Sequence, residues 1–446
     1  SVMEPLDTLI HARWIIPVEP AGRVLEHHAL GVRDGRIVAL VPSAEAPTRF
    51  AAQETVTLDH HVLIPGLVNA HTHAAMSLLR GLADDLPLRT WLEQHIWPAE
   101  ARWVSAEFVR DGTALAIAEM LASGTTCFND MYFFPESVVE AARAAGMRAS
   151  LGIVVFDGPT TWGSGPEEYL RKGLEVRNHC EGDPLFSFMF APHAPYTVSE
   201  RWLREIHALA TSYGLPVHTH VHETADEVAE SIARYGKRPI ARLQELGLFT
   251  PSLLAVHMTQ LTNEEIAECA RSGVHVAHCP ESNLKLASGC CPIARLLAAG
   301  VNVALGTDGA ASNNDLDMLG ELRTAALLAK GVSGDAAAVP AETALEMATL
   351  GGARALGLGD AIGSLVPGKW ADLTALDLTA AATHPVHHVV STLVYSAGRE
   401  NVTDVWVAGR RLVHDRALAT TNVTAVLQRA EAWRRRIAAA DASSDR

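Results

Sequence analysis

The sequence predicts an α/β fold, in which a (β/α)8 barrel of the TIM type is joined to a small β-sandwich-like domain built from both chain ends. Two observations support this prediction. In the middle of the chain, short apolar runs alternate eight times with helix-length amphipathic segments, which is the pattern of a barrel with helices outside its strands. Strand patterns without intervening helices precede and follow this region.

The first sixty or so residues have the pattern of strands. HARWIIPV (11–18) is one predicted strand, and ALGVRDGRIVALVP (29–42) predicts a hairpin. The Asp34-Gly35 pair at its centre is typical of a two-residue turn in which both residues take positive φ.

Eight apolar runs then follow, mostly ending in polar residues. They occupy 61–73, 124–131, 148–155, 187–195, 216–223, 252–259, 275–280 and 302–310. The segments between them include PESVVEAARAAG, SERWLREIHALATSYG and TNEEIAECARSG, which have helical periodicity and end at glycine, a common helix stop.

Strand patterns return after the last run, in GSLVPGKWADLTALDL and NVTDVWVAGRRLVHD, and a surface helix is expected at the end of the chain. The simplest arrangement inserts the barrel into the β domain. We therefore expect a composite β domain with a C-terminal helix from 1–62 and 364–446, and a barrel domain from 63–363.

Composition limits the classes of function. The formal net charge of −15 disfavours nucleic acid and anionic membranes as partners, because both prefer a basic surface. No stretch of roughly 18 apolar residues is present, so no transmembrane helix is expected. The six cysteines include no CxxC pair and suit a reducing compartment, which predicts a cytoplasmic protein.

Active-site residues of this barrel type come from the C-terminal ends of the strands. Most of the predicted strand ends carry an imidazole, and the eighth carries a carboxylate; these residues are His71, His73, His193, His218, His220, His222, His257, His278 and Asp308. The alternative is a set of buried, hydrogen-bonded core histidines, which their recurrence at strand ends disfavours.

His71 and His73 are two residues apart on a predicted strand, so their side chains project from the same face. A lone HxH is weak, but His220 and Asp308 on later strands would complete a set of three imidazoles and a carboxylate. Such a set fits Zn²⁺, and Fe²⁺ or cobalt nearly as well.

PGLVNAHTH, HVHET, NLKLASGCCP and LGTDGAASNNDLDM resemble the amidohydrolase superfamily over essentially the whole chain. More narrowly, they resemble the branch of 5-methylthioadenosine/S-adenosylhomocysteine deaminases, near the chlorohydrolases and guanine deaminases. The resemblance implies that the metal ligands are His71, His73, His220 and Asp308.

The resemblance also implies roles in catalysis and substrate binding. Glu223 would shuttle protons, His257 would contact the attacking water or the oxyanion, and Asp308 would accept a proton from the water. The nucleoside-using relatives hold the ribose hydroxyls with residues that correspond to Glu100 and His193.

Dinuclear members of the superfamily carry a bridging lysine at the fourth strand. The five lysines of this chain are Lys172, Lys237, Lys285, Lys330 and Lys369, and none lies in the fourth run. One metal ion per subunit is therefore expected. A cytidine-deaminase type of zinc site is excluded because HxE with PCxxC is missing.

The predicted activity is hydrolytic deamination of 5′-methylthioadenosine, with S-adenosylhomocysteine and adenosine as further candidates. Guanine or 8-oxoguanine deamination and triazine hydrolysis are the alternatives on the same scaffold, and non-catalytic metal binding is an alternative of another class. The partner is expected to be a small purine nucleoside. Methylthio, homocysteinyl and hydroxyl groups are all candidates for the 5′ substituent, and both a monomer and a homo-oligomer are compatible with the sequence.

Overall fold

A computed structural model describes residues 2–444 of the chain. It contains two eight-stranded sheets, and the predicted fold class is confirmed, with a nearly closed parallel barrel and a separate sheet from both chain ends. Residue contacts divide the chain into two compact units, which are 1–69 with 120–127 and 317–420, and 70–119 with 128–316 and 421–446. The domain boundaries given above stay a prediction.

The structure has sixteen strands within the described residues. In chain order they are β1 (Glu4–Ile15), β2 (Leu25–Arg33), β3 (Arg36–Pro42), β4 (Phe50–Pro65), β5 (Leu67–Thr72), β6 (Thr125–Asp130), β7 (Arg148–Val155), β8 (Phe186–Pro192), β9 (Val217–Val221), β10 (Leu253–His257), β11 (His275–His278), β12 (Asn302–Leu305), β13 (Leu373–Asp377), β14 (Val402–Val407), β15 (Arg410–His414) and β16 (Ala417–Leu418).

The α-helices connect and flank these strands. They are α1 (Ala46–Arg49), α2 (Leu88–Thr90), α3 (Trp97–Trp103), α4 (Ala106–Ala122), α5 (Pro135–Ala145), α6 (Pro166–His179), α7 (Glu200–Tyr213), α8 (Ala225–Tyr235), α9 (Pro239–Glu245), α10 (Asn263–Ser272), α11 (Pro280–Lys285), α12 (Ile293–Ala298), α13 (Ala310–Asn313), α14 (Met318–Ser333), α15 (Ala341–Met347), α16 (Leu350–Ala355), α17 (Val389–Ser391) and α18 (Val423–Ser444). Short 3₁₀ segments lie at Ala74–Leu79, Ala381–Thr383 and Arg399–Asn401, and π-helical segments at Trp91–Ile96 and Thr392–Ser396.

The terminal sheet has the strand order β16-β15-β14-β13-β4-β1-β2-β3, so the two chain ends meet where β13 pairs antiparallel with β4. The predicted hairpin joins β2 and β3, whose pairing brings Arg33 opposite Arg36. Asp34 and Gly35 between them have φ of 53° and 77°, as this turn requires. Apolar side chains of these strands, including Ile10, Leu63 and Trp406, form a buried core.

The barrel sheet runs in chain order from β5 to β12, and the neighbouring strands from β7 to β12 pair in parallel. Every residue of β7, β9 and β10 is buried. A parallel strand covered on both faces favours a continuous apolar run over an alternating one. This explains why the barrel strands are recognisable as apolar runs that become polar only at their ends.

The barrel helices end where the sequence predicts. Gly146 after α5, Gly214 after α7 and Gly273 after α10 all take the left-handed conformation that glycine adopts without a steric penalty. Helix α10 begins with a capping box between Thr262 and Glu265, which satisfies two free backbone N–H groups. Within residues 2–444, no helix combines the length and apolar character needed to cross a membrane.

Candidate active site

The C-terminal ends of the barrel strands bring the predicted site residues together. His71 lies near the end of β5 and His73 directly follows the strand, whereas His220 lies on β9 and His257 ends β10. Asp308 follows β12 and has a φ of 62°. Parallel strands of a barrel end on the same rim, so residues far apart in sequence share one site.

Three imidazoles and one carboxylate converge on a common point. The Nε2 atoms of His71 and His220 are 3.2 Å apart. Asp308 Oδ1 lies 3.2 Å from His71 Nε2 and 3.2 Å from His73 Nε2. Ligand atoms placed about 2.0–2.1 Å from a tetrahedral zinc ion would be roughly 3.3–3.4 Å from one another. The donor set therefore fits a tetrahedral zinc ion in chemistry and spacing.

The Nδ1 atoms of the same three histidines are engaged elsewhere. His71 Nδ1 lies 2.8 Å from His218 Nε2, and His73 Nδ1 lies 2.6 Å from the carbonyl oxygen of Met131. His220 Nδ1 lies 2.6 Å from the carbonyl oxygen of His193. These contacts fix the orientation of each ring and leave Nε2 to face the shared point, as ligating histidines require.

His257 presents a buried, unpartnered nitrogen to the site. Its Nδ1 lies 2.9 Å from the Asn283 side-chain nitrogen, while its Nε2 has no hydrogen-bond partner within the described residues. Nε2 lies 3.4 Å from Glu223 Oε2 and 3.7 Å from Asp308 Oδ2. Burial lowers the pKa of His257 to about 4, so the ring is neutral. With Asn283 donating to Nδ1, the ring proton lies on Nε2 and can be donated into the site.

The surroundings of Glu223 and Asp308 shift the pKa values of the two carboxyl groups in opposite directions. Burial, followed by the negative charge of Asp308, raises the pKa of Glu223 well above its usual range. Burial also opposes ionisation of Asp308, but hydrogen bonds from His71 and His73 hold its pKa well below the usual value. Ser282 Oγ donates a further hydrogen bond of 2.8 Å to Asp308 Oδ2. One group can therefore donate a proton and the other can accept one.

The position of Glu223 is fixed through its main chain. Its N–H donates to Glu227 Oε2 at 2.7 Å, and the hydroxyl of Thr259 donates to its carbonyl oxygen at 2.8 Å. Its side chain is thereby free to face His257 and the cavity. Glu227 is itself buried, and burial raises its pKa to about 8.

A cavity of about 290 Å³ opens onto these residues. Its lining includes both predicted ribose-binding residues, Glu100 and His193, together with Glu223 and Asp308. Burial raises the pKa of Glu100 to about 7 and lowers that of His193 to about 3. His193 Nδ1 lies 2.8 Å from the hydroxyl of Thr197, which orients the ring.

The structure also shows residues to which the sequence assigned no role. Asn129 Nδ2 lies 3.2 Å from His218 Nδ1, so Asn129 and His218 form a chain that leads to His71. In the sequence, the only sign of a role for His218 is its HxH spacing with His220, which places both side chains on one face of the strand. By contrast, His222 bonds to Gln260 O at 2.8 Å and to the Ile240 N–H at 3.1 Å, away from the candidate metal ligands.

Comparison with known proteins identifies the family. A model of the amidohydrolase family matches residues 62–412. The chain is 50% identical over 439 residues to a 5-methylthioadenosine/S-adenosylhomocysteine deaminase of Saccharophagus degradans, with 98% of each chain covered. It is 50% identical over 434 residues to the protein of the same description from Teredinibacter turnerae, with 97% of this chain and 98% of the relative covered.

Solved structures of similar proteins show the same family relationship and the same fold. A zinc-bound adenosine deaminase from Xanthomonas campestris has a TM-score of 0.97 and 55% identity, covering 98% of this chain and 100% of the other. An atrazine chlorohydrolase from Arthrobacter aurescens has a TM-score of 0.89 at 23% identity, covering 96% and 99%, and shows the shared fold alone. The extent of the family match and the identity to these relatives place the chain in the amidohydrolase family.

Proposed function

We propose that this protein is a zinc-dependent hydrolase that deaminates adenosine-type nucleosides, with 5′-methylthioadenosine as the leading substrate. The products are the inosine-type nucleoside and ammonia. The observation that carries the proposal is one cavity that contains a proton donor and a proton acceptor, Glu223 and Asp308, beside the two residues expected to bind ribose, Glu100 and His193. The relatives named above support the same substrate class.

The metal would be held by His71, His73, His220 and Asp308. A bound zinc ion supplies a Lewis acid and lowers the pKa of water enough for attack at neutral pH. A bound cation would favour the ionised form of Asp308, whose Oδ2 accepts a hydrogen bond from Ser282 and would accept the proton of the attacking water.

Glu223 performs the complementary proton transfer. Because burial raises the pKa of its carboxyl group and so favours the protonated form, Glu223 donates a proton to the ring nitrogen beside the carbon under attack. Negative charge then does not accumulate on the purine. His257 donates its Nε2 proton in a hydrogen bond to the oxygen that adds to the ring, which stabilises the developing charge. Proton transfer to the exocyclic nitrogen lets ammonia leave.

Glu100 and His193 would bind the ribose. A carboxylate oxygen accepts hydrogen bonds from two vicinal hydroxyl groups, and the neutral His193 ring offers one donor or one acceptor. A free base lacks these hydroxyl groups, so the pair has a use only with nucleosides. Guanine and triazine substrates have no ribose hydroxyl groups to offer to Glu100 and His193, and these alternatives are disfavoured for this reason.

The experiment measures ammonia release by zinc-loaded protein from 5′-methylthioadenosine, S-adenosylhomocysteine, adenosine, adenine and guanine, with a chelated control. Release from nucleosides and not from the free bases supports the proposal. Release from guanine alone would assign the protein to the free-base deaminases. Zinc-loaded protein that releases ammonia from none of the five would contradict the proposed function.

We also propose that the protein acts in the cytoplasm on a small-molecule substrate. Five of the six cysteines are buried, and all six are free thiols, which suits a reducing compartment. The formal net charge of −15 is consistent with a partner other than nucleic acid.

A further inference from the structure

The cavity is divided into a polar end and an apolar end. Apart from Tyr132 and Tyr196, its titratable side chains are those already described for the metal, proton-transfer and ribose sites. Much of the rest is an apolar wall, which we define as Leu88, Trp91, Leu92, Ile96, Trp97, Phe133, Phe156 and Pro159. Because the candidate metal ligands lie at the buried end, a nucleoside must enter with its amino group first. Its 5′ substituent then points toward the wall and the mouth.

The wall is preformed by packing between two main segments, and the loop after β6 contributes Phe133. One contains the π-helical turn Trp91–Ile96, and the other is the loop that follows β7. The rings of Trp97 and Phe156 are 6.0 Å apart, and Phe156 lies 5.6 Å from the ring of His193. The wall therefore continues directly from the expected ribose site.

The loop after β7 is also restrained by contacts with Tyr169 of α6. Trp162 stacks on Tyr169 with ring centroids 5.6 Å apart and an interplanar angle of 3°. The hydroxyl of Tyr169 donates to Gly158 O at 2.8 Å. These contacts restrain the part of the loop that lines the cavity and limit its ability to rearrange around a polar ligand.

Among the described residues, no lysine or arginine lines the cavity. Arg89, which precedes Trp91 in sequence, and Lys172, which contacts the loop after β7 through Trp162, are engaged in other interactions. Arg89 forms an ion pair with Glu230, and Lys172 donates a hydrogen bond to the carbonyl oxygen of Trp162. A carboxylate or ammonium group brought against the wall would lose water without gaining an opposite charge, which is unfavourable.

We infer that this cavity selects nucleosides whose 5′ substituent is neutral and apolar, such as an alkyl thioether, and discriminates against a zwitterionic amino-acid substituent. The inference rests on the proposed function for the orientation of the nucleoside. According to this inference, the cavity discriminates by the charge of the 5′ substituent and not by its length. A longer alkyl chain is accepted because it can pack against the apolar wall.

The test compares kcat/KM for 5′-methylthioadenosine, 5′-butylthioadenosine and S-adenosylhomocysteine. The last two have chains of equal length beyond sulfur and differ in charge. We expect the butylthio compound to be within about tenfold of the methylthio compound, and S-adenosylhomocysteine to be at least about 100-fold below the butylthio compound. Equal kcat/KM values for 5′-butylthioadenosine and S-adenosylhomocysteine would overturn the inference. Rejection of both compounds would also overturn it, because the cavity would then select by the length of the substituent.

A binding measurement separates this inference from the proposed function. Calorimetry on the zinc-loaded Glu223→Gln protein gives Kd for the same three nucleosides without turnover. If wild-type protein releases no ammonia but Kd follows the expected order, the proposed function fails and the selection for neutral substituents stands. If ammonia is released and the zwitterion binds as tightly as the butylthio compound, only the inference fails.

A charge introduced at the mouth provides a second test. Thr161 lines the cavity, is exposed and follows Pro159 in the restrained loop, so a longer side chain there can be accommodated. We expect Thr161→Arg to raise the ratio of kcat/KM for S-adenosylhomocysteine to that for the butylthio compound by at least about tenfold, since an opposite charge becomes available. The neutral control Thr161→Gln should leave this ratio unchanged. An equal rise in both variants would contradict selection by charge.

Discussion

Replacing His218 with phenylalanine tests whether a histidine outside the candidate metal ligands controls metal affinity. His218 is buried, and its Nε2 lies 2.8 Å from Nδ1 of His71. Phenylalanine keeps a planar ring of similar volume and removes both ring nitrogens. The substitution therefore leaves His71 Nδ1 without its partner while creating little empty space.

The expected loss of zinc affinity follows from the contact between His218 and His71. A buried polar group left unsatisfied costs about 1–3 kcal/mol, and loss of a hydrogen-bond partner of a metal ligand typically weakens metal binding about 10- to 100-fold. We expect the Kd for zinc to rise within this range, equivalent to about 1.4–2.7 kcal/mol. His218→Gln, which keeps one donor and one acceptor, should fall between the wild type and His218→Phe.

The assay is competition for zinc with a chromophoric chelator, accompanied by thermal unfolding of the metal-free proteins. His222→Phe is the matched control, because His222 is equally buried and makes two hydrogen bonds but contacts none of the candidate ligands. It should destabilise the fold and leave the Kd for zinc unchanged. An unaltered Kd in His218→Phe, or an equal rise in both variants, would refute the reasoning.

Three further predictions concern turnover, ribose binding and thiol reactivity. Glu223→Gln should retain one zinc ion per chain by metal analysis and lose at least about 100-fold in kcat, because the proton donor is gone; near-normal turnover would contradict the shuttle role. Glu100→Gln should raise KM for nucleosides about tenfold with a smaller effect on kcat, through one weakened hydrogen-bonding site; a change confined to kcat would exclude ribose binding. Cys290 is the one cysteine that is not buried, whereas burial raises the pKa of the Cys269 thiol to about 12. Mass mapping after brief alkylation of the native protein should therefore find the label on Cys290 alone. Early labelling of Cys269 would contradict its burial.

The barrel could be predicted from the sequence because each barrel strand is covered on both faces. Such strands must be apolar along their length and can become polar only at the rim, so His71, His220 and Asp308 stand out at the ends of apolar runs. The helix stops at Gly146, Gly214 and Gly273 were equally visible, since a left-handed residue is required there. In both cases, burial of the strand or the left-handed conformation at the helix end restricts which residue types can occupy the position, so the sequence itself shows the feature.

The apolar wall and the partners of the ligands leave no such signal. Trp91 and Trp97 face the cavity from a segment whose π-helical turn shifts their direction, and helical periodicity in the sequence does not show that turn. Asn129 and Asn283 are chemically ordinary residues that acquire importance by lying beside His218 and His257. Their roles depend on the closure of the barrel and not on their own neighbours in sequence.

The metal site and the proton shuttle are best understood as one electrostatic unit. Glu223 follows His220 by three residues and lies just after β9, so one strand end supplies both a candidate ligand and the proposed proton donor. Hydrogen bonds from His71 and His73 lower the pKa of Asp308. The negative charge of Asp308 adds to the effect of burial and raises the pKa of Glu223 further. A divalent cation would favour the ionised form of Asp308 in the same direction. Replacement of a ligand should therefore disturb proton transfer as well as metal binding, whereas replacement of Glu223 should disturb proton transfer alone.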